Sequence, residues 1–276
     1  MSLRKLPEIK AFKALSNMEW QPRTDVVDRW NAGIHAATSD EASISILGEI
    51  GGGDYGDGIT SKRIAGALRS IGERDVRVDI NSPGGDFFEG VAIYNMLREH
   101  KARVTVNVLG LAASAASVIA MAGDEIKVAK TGFLMIHNAW GITIGNRHDM
   151  QAAAGMMEPF DRAMRDLYAE RSGLKAEQVE AWMDAETFFT GEDAVKNGLA
   201  DGYLSDAEIE QDADNGKRAS AIAKIEASMA AQGLSRRERR SLLAELQGGA
   251  DVSPPNVMPS ADIIAALRGN TEKLKV

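Results

Sequence analysis

Two short stretches of this chain have the residue types that acyl transfer requires. Asn81-Ser82-Pro83-Gly84-Gly85 follows one apolar stretch, and Gly110-Leu111-Ala112-Ala113-Ser114-Ala115-Ala116-Ser117 follows another. The first is a loop rich in bare backbone amides, and its glycines can turn their N–H groups outward. The second sets the Ser114 hydroxyl among residues too small to shield it, at a strand-to-helix junction where backbone donors are left unpaired. Ala112, Ala113, Ala115 and Ala116 leave room for a substrate backbone to approach. A nucleophile, a base, a group that orients the base and donors for an oxyanion are the parts such chemistry needs. His137, after a further apolar stretch, supplies a candidate base.

Each part alone is commonplace. A serine in an alanine-rich helix is ordinary packing, a histidine after a strand is commonly structural, and Asn-Ser-Pro-Gly-Gly is a common turn. The information lies in their order and in the placement of each at a strand end.

The elements that must hold these residues alternate. Strands are expected at Ser43–Leu47, Val76–Ile80, Val104–Val108, Glu125–Val128 and Phe133–Ile136, with a short one at Ile142–Ile144. Helices are expected from a Thr60 cap to Ile71, over Phe87–Glu99, Ser114–Ala122, Arg147–Arg171 and Ala176–Met183, and from Thr190 to Gly198. This rhythm implies an α/β layered fold with mostly parallel pairing. Residues 1–40 read as an N-terminal extension in which Trp20 and Trp30 are candidate anchors, 41–205 as the catalytic domain, 206–250 as a basic helical appendage and 251–276 as a flexible tail beginning near Ser253-Pro254-Pro255.

Composition excludes several classes. The chain has 276 residues and no cysteine, which rules out disulfides, thiolate metal sites and a cysteine nucleophile. Val104 to Gly123 carries no charge, but its alternating start and its Gly, Ala and Ser content fit a buried strand-to-helix unit better than a membrane span. The Met1–Pro7 stretch has no apolar export core, so a cytoplasmic location is expected. A net charge of −8 gives no overall nucleic-acid footprint. Residues 217–247 hold seven Lys/Arg against three acids, a local +4, on a segment with Leu234, Leu242, Leu243 and Leu246. That segment reads as a solvated helical face or as a docking element for an acidic partner.

Taken in order, Ile80–Gly85, Gly110–Ser114 and Met135-Ile136-His137-Asn138 resemble the Clp protease proteolytic subunit family, and Phe188–Asp201 looks like that family's closing motif. The resemblance covers roughly residues 43–205 and implies a ClpP/crotonase-like fold of repeated ββα units with a helical handle. It makes Ser114 the nucleophile, His137 the general base, and the amides of Gly85 and Ala115 the oxyanion-hole donors. Gly84, Gly141, Ile142, Thr143 and Ile144 would line the path of an extended substrate paired by its backbone. The family's triad acid aligns with Glu186 here instead of Asp, with Asp184 as the alternative two positions earlier. Ser117, His35, His100 and His148 are expected to be bystanders.

The resemblance further implies a serine endopeptidase that needs no metal or organic cofactor and forms a homo-oligomeric ring. The handle residues Met150, Met156, Met157 and Phe160 would supply an apolar face for a neighbouring subunit. The N-terminal extension, the Glu at the acid position and the basic tail resemble phage and prophage head maturation proteases, which implies a capsid or scaffold protein as substrate. Three rivals differ in kind: a general degradative subunit fed by an unfoldase, a crotonase-like CoA enzyme, and a non-catalytic capsid-associated scaffold.

Overall fold

The computed structural model describes residues 18–19, 23–29, 34–36, 42–51, 58–205, 209–211 and short runs between 221 and 243. Its elements in chain order are β1 (Met18–Glu19), α1 (Thr24–Arg29), β2 (Ile34–Ala36), β3 (Ser43–Leu47), α2 (Ser61–Ile71), β4 (Val76–Ser82), α3 (Phe87–Arg98) and β5 (Val104–Ala113). There follow α4 (Ala115–Ala120), β6 (Glu125–Val128), β7 (Phe133–Met135), β8 (Ile142–Thr143), α5 (Arg147–Ser172), α6 (Ala176–Asp184), β9 (Phe188–Thr190), α7 (Gly191–Lys196), β10 (Gly202–Tyr203) and β11 (Ile209–Gln211).

A seven-stranded sheet organises them, with strand order β10-β6-β5-β4-β3 and parallel pairing throughout that path. β5 is the pivot. Its first half pairs with β6 at Thr105–Val108, and its second half pairs with β7 at Leu111–Ala113. β9 then adds antiparallel to β7. β6 and β7 thus take successive halves of one β5 edge, and the parallel register Ala113↔Met135 brings the ends of β5 and β7 side by side where Ser114 and His137 follow.

Burial explains the strand sequences. Val104, Val106 and Val108 are wholly buried, as are Val78 and Ile80 on β4. The alternate positions carry Asp79 and Asn107, buried too and hydrogen-bonded to each other at 3.2 Å. β4 and β5 are longer than the hydrophobic pattern alone suggests, because Asn81, Ser82 and the small residues Gly110–Ala113 continue the pairing. The β4–β5 register shifts between Ile80 and Ser82. Asn81, 1% exposed, closes that irregularity by accepting a hydrogen bond from the Leu111 N–H at 3.2 Å.

Helix starts follow the expected chemistry. Thr60 accepts from the Arg63 N–H at 3.4 Å, Asp86 from the Glu89 N–H at 3.0 Å, and Thr190 from the Asp193 N–H at 3.1 Å. Asn146 and Asp149 form a capping box at the head of α5. α5 is tied to the sheet by the fully buried Arg171 guanidinium, which pairs with Asp201 and donates to the Gly123 carbonyl at 3.3 Å.

The handle reading needs one correction. Phe160 is wholly buried and packs on Phe87 and Phe88 with ring centroids 5.0 and 5.6 Å away, and Met156 and Met157 lean on the same core. The large apolar side chains of that region that stand out into solvent are Met150 and Ile144, at 44% and 72% exposure. The apolar face is therefore largely satisfied within the chain. The basic segment differs too: Arg239 is buried, and its guanidinium donates to the Leu234 carbonyl at 2.7 Å. Trp20, Trp30, Leu246 and the Ser253-Pro254-Pro255 stretch lie outside the described residues. Among the described residues no helix is long and apolar enough to cross a membrane.

Candidate active site

β5 ends by delivering Ser114, and β7 ends two residues before His137. Ser114 Oγ and His137 Nε2 stand 2.7 Å apart. Ser114 has φ +55° and ψ −125°, a left-handed backbone that a side chain rarely adopts. Such a sharp strand-to-helix turn lifts a hydroxyl clear of both elements, and residues held in this region cost of order 1–3 kcal/mol. The turn is held by the Ser114 N–H, which donates to Met135 O at 3.1 Å, and by the Ser114 carbonyl, which accepts from the Ser117 N–H at 2.9 Å.

The glycine loop has one amide to offer. Gly84 uses its N–H on Ser82 Oγ at 3.1 Å and its carbonyl on the Ile50 N–H at 2.8 Å. The Asp86 N–H bonds the Ile50 carbonyl at 2.8 Å. With residues 84 and 86 both facing Ile50, the Gly85 N–H points from the opposite edge. Among the described residues neither it nor the Ala115 N–H has a hydrogen-bond partner. Ala115 opens α4, where the first amides have no intrahelical acceptor.

Gly84 itself differs from the expectation that it binds substrate, since both its backbone groups are engaged within the chain. Its part is spatial: a Cβ there would meet Ala113 O and Ser114 Cβ, each at 2.7 Å. Gly85 has φ +143°, and a Cβ on it would overlap the Ile50 carbonyl.

His137 is 5% exposed. Burial, reinforced by the Arg23 guanidinium and partly opposed by Asp25, pulls its pKa down to about 4, so the ring is neutral and able to accept a proton at Nε2. The chain beyond it is pinned by two carboxylates. Asp184 Oδ1 accepts from Asn138 Nδ2 at 2.7 Å, and Asp161 Oδ1 accepts from the Ala139 N–H at 2.6 Å. Burial, outweighing that bond, with Asp184 and Glu158 nearby, raises the Asp161 pKa to about 6.

Neither expected acid hydrogen-bonds His137 in this arrangement. Asp184 is engaged with Asn138, and Glu186 is paired with Arg23, which also donates through Nε to Asp25 Oδ1 at 3.0 Å. Glu186 has φ +50° and occupies the left-handed position after α6. Its N–H donates to Met183 O at 3.0 Å and the Thr187 N–H to Trp182 O at 3.1 Å, the two bonds of a Schellman motif. The Ile136 N–H donates to Thr187 O at 3.1 Å, which brings this turn beside the strand leading to His137.

Arg23 and Asp25 were not among the residues expected at the site. They lie more than a hundred residues before His137 and sit in no recognisable motif, so only the fold brings them there. β8 carries Ile142 and Thr143, and its partner is this chain's own β1, with Met18 opposite Thr143 and Glu19 opposite Ile142. Ser117 donates to Ser114 O at 2.6 Å and meets the Tyr168 hydroxyl at 2.7 Å. His100 is tied to Arg74 O at 2.8 Å, and His148 lies at the exposed start of α5. Among the described residues no cluster of His, Cys, Asp and Glu could hold a metal ion.

Residues 38–206 match the family model described as Clp protease. The chain belongs to the Clp protease family. Among curated Clp relatives, it is 34% identical over 134 residues to the ATP-dependent Clp protease proteolytic subunit of Ligilactobacillus salivarius, covering 48% of this chain and 68% of that one. It is 33% identical over 131 residues to the same subunit of Deinococcus radiodurans, covering 47% of this chain and 64% of that one. The chain thus spans about two thirds of the length of these Clp relatives. A point mutant of ClpP1 from Listeria monocytogenes shares the fold, with TM-score 0.51, 22% identity, and coverage of 60% of this chain and 92% of that one.

Proposed function

We propose that this Clp family member is a serine endopeptidase with Ser114 as nucleophile and His137 as general base. The observation that carries the reading is the 2.7 Å approach of Ser114 Oγ to His137 Nε2, on a left-handed backbone beside two uncommitted amides. Ser114 attacks a peptide carbonyl carbon while Nε2 takes the hydroxyl proton. The N–H groups of Gly85 and Ala115 hold the oxyanion. Collapse of the tetrahedral intermediate breaks the C–N bond, His137 returns the proton to the leaving amine, and water then hydrolyses the acyl-enzyme by the reverse use of the same base. Glu186 is the carboxylate that orients the imidazole through Nδ1–H once Arg23 no longer holds it.

The substrate is protein. A homo-oligomeric ring follows from membership of the Clp protease family. A role in phage head maturation, with scaffold or capsid protein as substrate, rests on the resemblance of the N-terminal extension, of Glu186 and of the basic tail to that group. A second reading, a degradative subunit working with an unfoldase, is favoured by the name the curated relatives carry, ATP-dependent Clp protease proteolytic subunit.

Co-expression separates the two. Wild type with the neighbouring capsid or scaffold protein shortens that protein and Ser114→Ala leaves it intact if the maturation reading holds. Unchanged capsid and scaffold proteins, together with ATP-dependent co-purification of an unfoldase, would favour the degradative reading. A chain that cleaves no peptide or protein at all would overturn the peptidase reading.

A further inference from the structure

We propose that the N-terminal pieces β1 and Arg23–Arg29 form an inhibitory strap that covers the substrate-strand edge at β8 and sequesters Glu186. The inference rests on the serine peptidase reading and adds its regulation. Three independent contacts hold the same short segment against three parts of the site.

The first contact is on the backbone. β1 pairs antiparallel with β8, so Met18 and Glu19 occupy a strand edge of Ile142–Thr143. An extended substrate that adds to this edge needs the same hydrogen-bonding groups, and two strands cannot use one edge together. Among the described residues Thr143 Oγ1 is buried without a hydrogen-bond partner. A buried hydroxyl left unsatisfied disfavours the arrangement that holds it.

The second contact is apolar. Val26 is wholly buried against Leu111, Ala113, Met135 and Phe188. These residues sit on the stretches that lead directly into Ser114, His137 and the closing motif. Arg29 adds its guanidinium over the Phe188 ring, 4.4 Å from the centroid.

The third contact is ionic. Arg23 sits between Asp25 and Glu186, and it is this pairing that engages the carboxylate aligned with the family's acid. Side-chain exposure is 20% for Arg23 and 43% for Glu186, so the pair is wet and worth little by itself. The strap is therefore anchored chiefly by Val26 and its neighbour Val27, both fully buried. Set against the Thr143 penalty and the cost of ordering the segment, that is a weak closure, which a competing extended peptide can displace.

The test compares the full-length wild type with Arg23→Glu, Val26→Asp and Glu19→Pro. Arg23→Glu opposes Glu186 with a like charge, Val26→Asp places a carboxylate in the apolar contact, and proline at position 19 disfavours the paired strand conformation of β1. Two readouts are taken: the rate at which a fluorophosphonate labels Ser114, and hydrogen-exchange protection of residues 141–144. The expected result is a rise in labelling and in peptide hydrolysis of about ten-fold or more in Val26→Asp and Glu19→Pro and of a few-fold in Arg23→Glu, with matching loss of protection at 141–144 and an unchanged core. A synthetic peptide of residues 16–29 added to a variant should restore slow labelling.

Equal labelling rates in wild type and in variants that have lost protection would overturn the strap while leaving the peptidase reading intact. Slower labelling with a protected core would overturn it too, by showing that the segment completes the site. Absence of Ser114 labelling in every form would strike the peptidase reading itself. Residues 141–144 unprotected in wild type would reject the closure regardless of activity.

Discussion

Gly84 lies so close to Ser114 that a Cβ built on the glycine would stand 2.7 Å from the serine's own Cβ. The loop of amides and the nucleophile turn are thus fitted to each other as backbone, not merely neighbours. Gly84→Ala must push Ser114 from its position or give up φ +94°, which alanine rarely adopts. Displacement of a reacting group by about 1 Å costs on the order of 100-fold in rate. The expected outcome is a fall of that size in Ser114 labelling with most of the far-UV circular dichroism retained. A variant that labels at the wild-type rate would show that the close approach is dispensable.

The pH profile follows from His137. Its pKa lies near 4 because burial and Arg23 disfavour the imidazolium. Labelling of Ser114 should therefore hold nearly level down to about pH 5 and fall below it. Arg23→Gln removes one of the two lowering causes, so its acid limb should move upward, toward the ordinary histidine value. Stability carries the same sign: with the folded pKa below the unfolded value of 6.5, this group's contribution is complete above pH 6.5 and declines as pH falls toward 4. Denaturant midpoints at pH 7 and pH 5, in wild type and His137→Gln, would read it.

The two acidic candidates separate by what each touches. Asp184 holds Asn138, whereas Glu186 stands at the turn beside the strand leading to His137. Glu186→Gln should cut peptide hydrolysis by about 100-fold or more, while Asp184→Asn should cost less than about ten-fold. The reverse ranking would reassign the acid.

Ser117 belongs to packing. Its one proton goes to Ser114 O, so the Tyr168 hydroxyl must be the donor to Ser117 Oγ. Burial drives the Tyr168 phenol well above its ordinary pKa, which keeps that proton in place. Ser117→Ala and Tyr168→Phe should each cost on the order of 1–3 kcal/mol, and the double variant less than their sum. Urea unfolding of the four proteins measures the coupling; strict additivity would deny the bond a role.

The alternation of strands and helices, the helix caps and the placing of Ser114 and His137 at strand ends were legible in the sequence because they depend on local pattern. The alternating valines Val104, Val106 and Val108, the Thr60 and Thr190 caps and the small residues before Ser114 each constrain their own neighbourhood. What was not legible depends on long-range approach. Nothing in Arg23-Thr24-Asp25 signals a place beside Glu186, and nothing in Phe160 distinguishes a residue buried on Phe87 from one facing a second subunit. The engagement of both Gly84 backbone groups, by Ser82 and Ile50, was likewise not legible, because Ile50 approaches only through the fold.

Ser114 acts in this account as a nucleophile activated by His137. The most direct measurement of that role is labelling by a fluorophosphonate at pH 7, with the adduct located by peptide mass spectrometry in wild type, Ser114→Ala and His137→Ala. A single adduct on Ser114, absent from Ser114→Ala and formed at least about 100-fold more slowly in His137→Ala, is the predicted result. An unlabelled Ser114, or one labelled equally fast without His137, would contradict it.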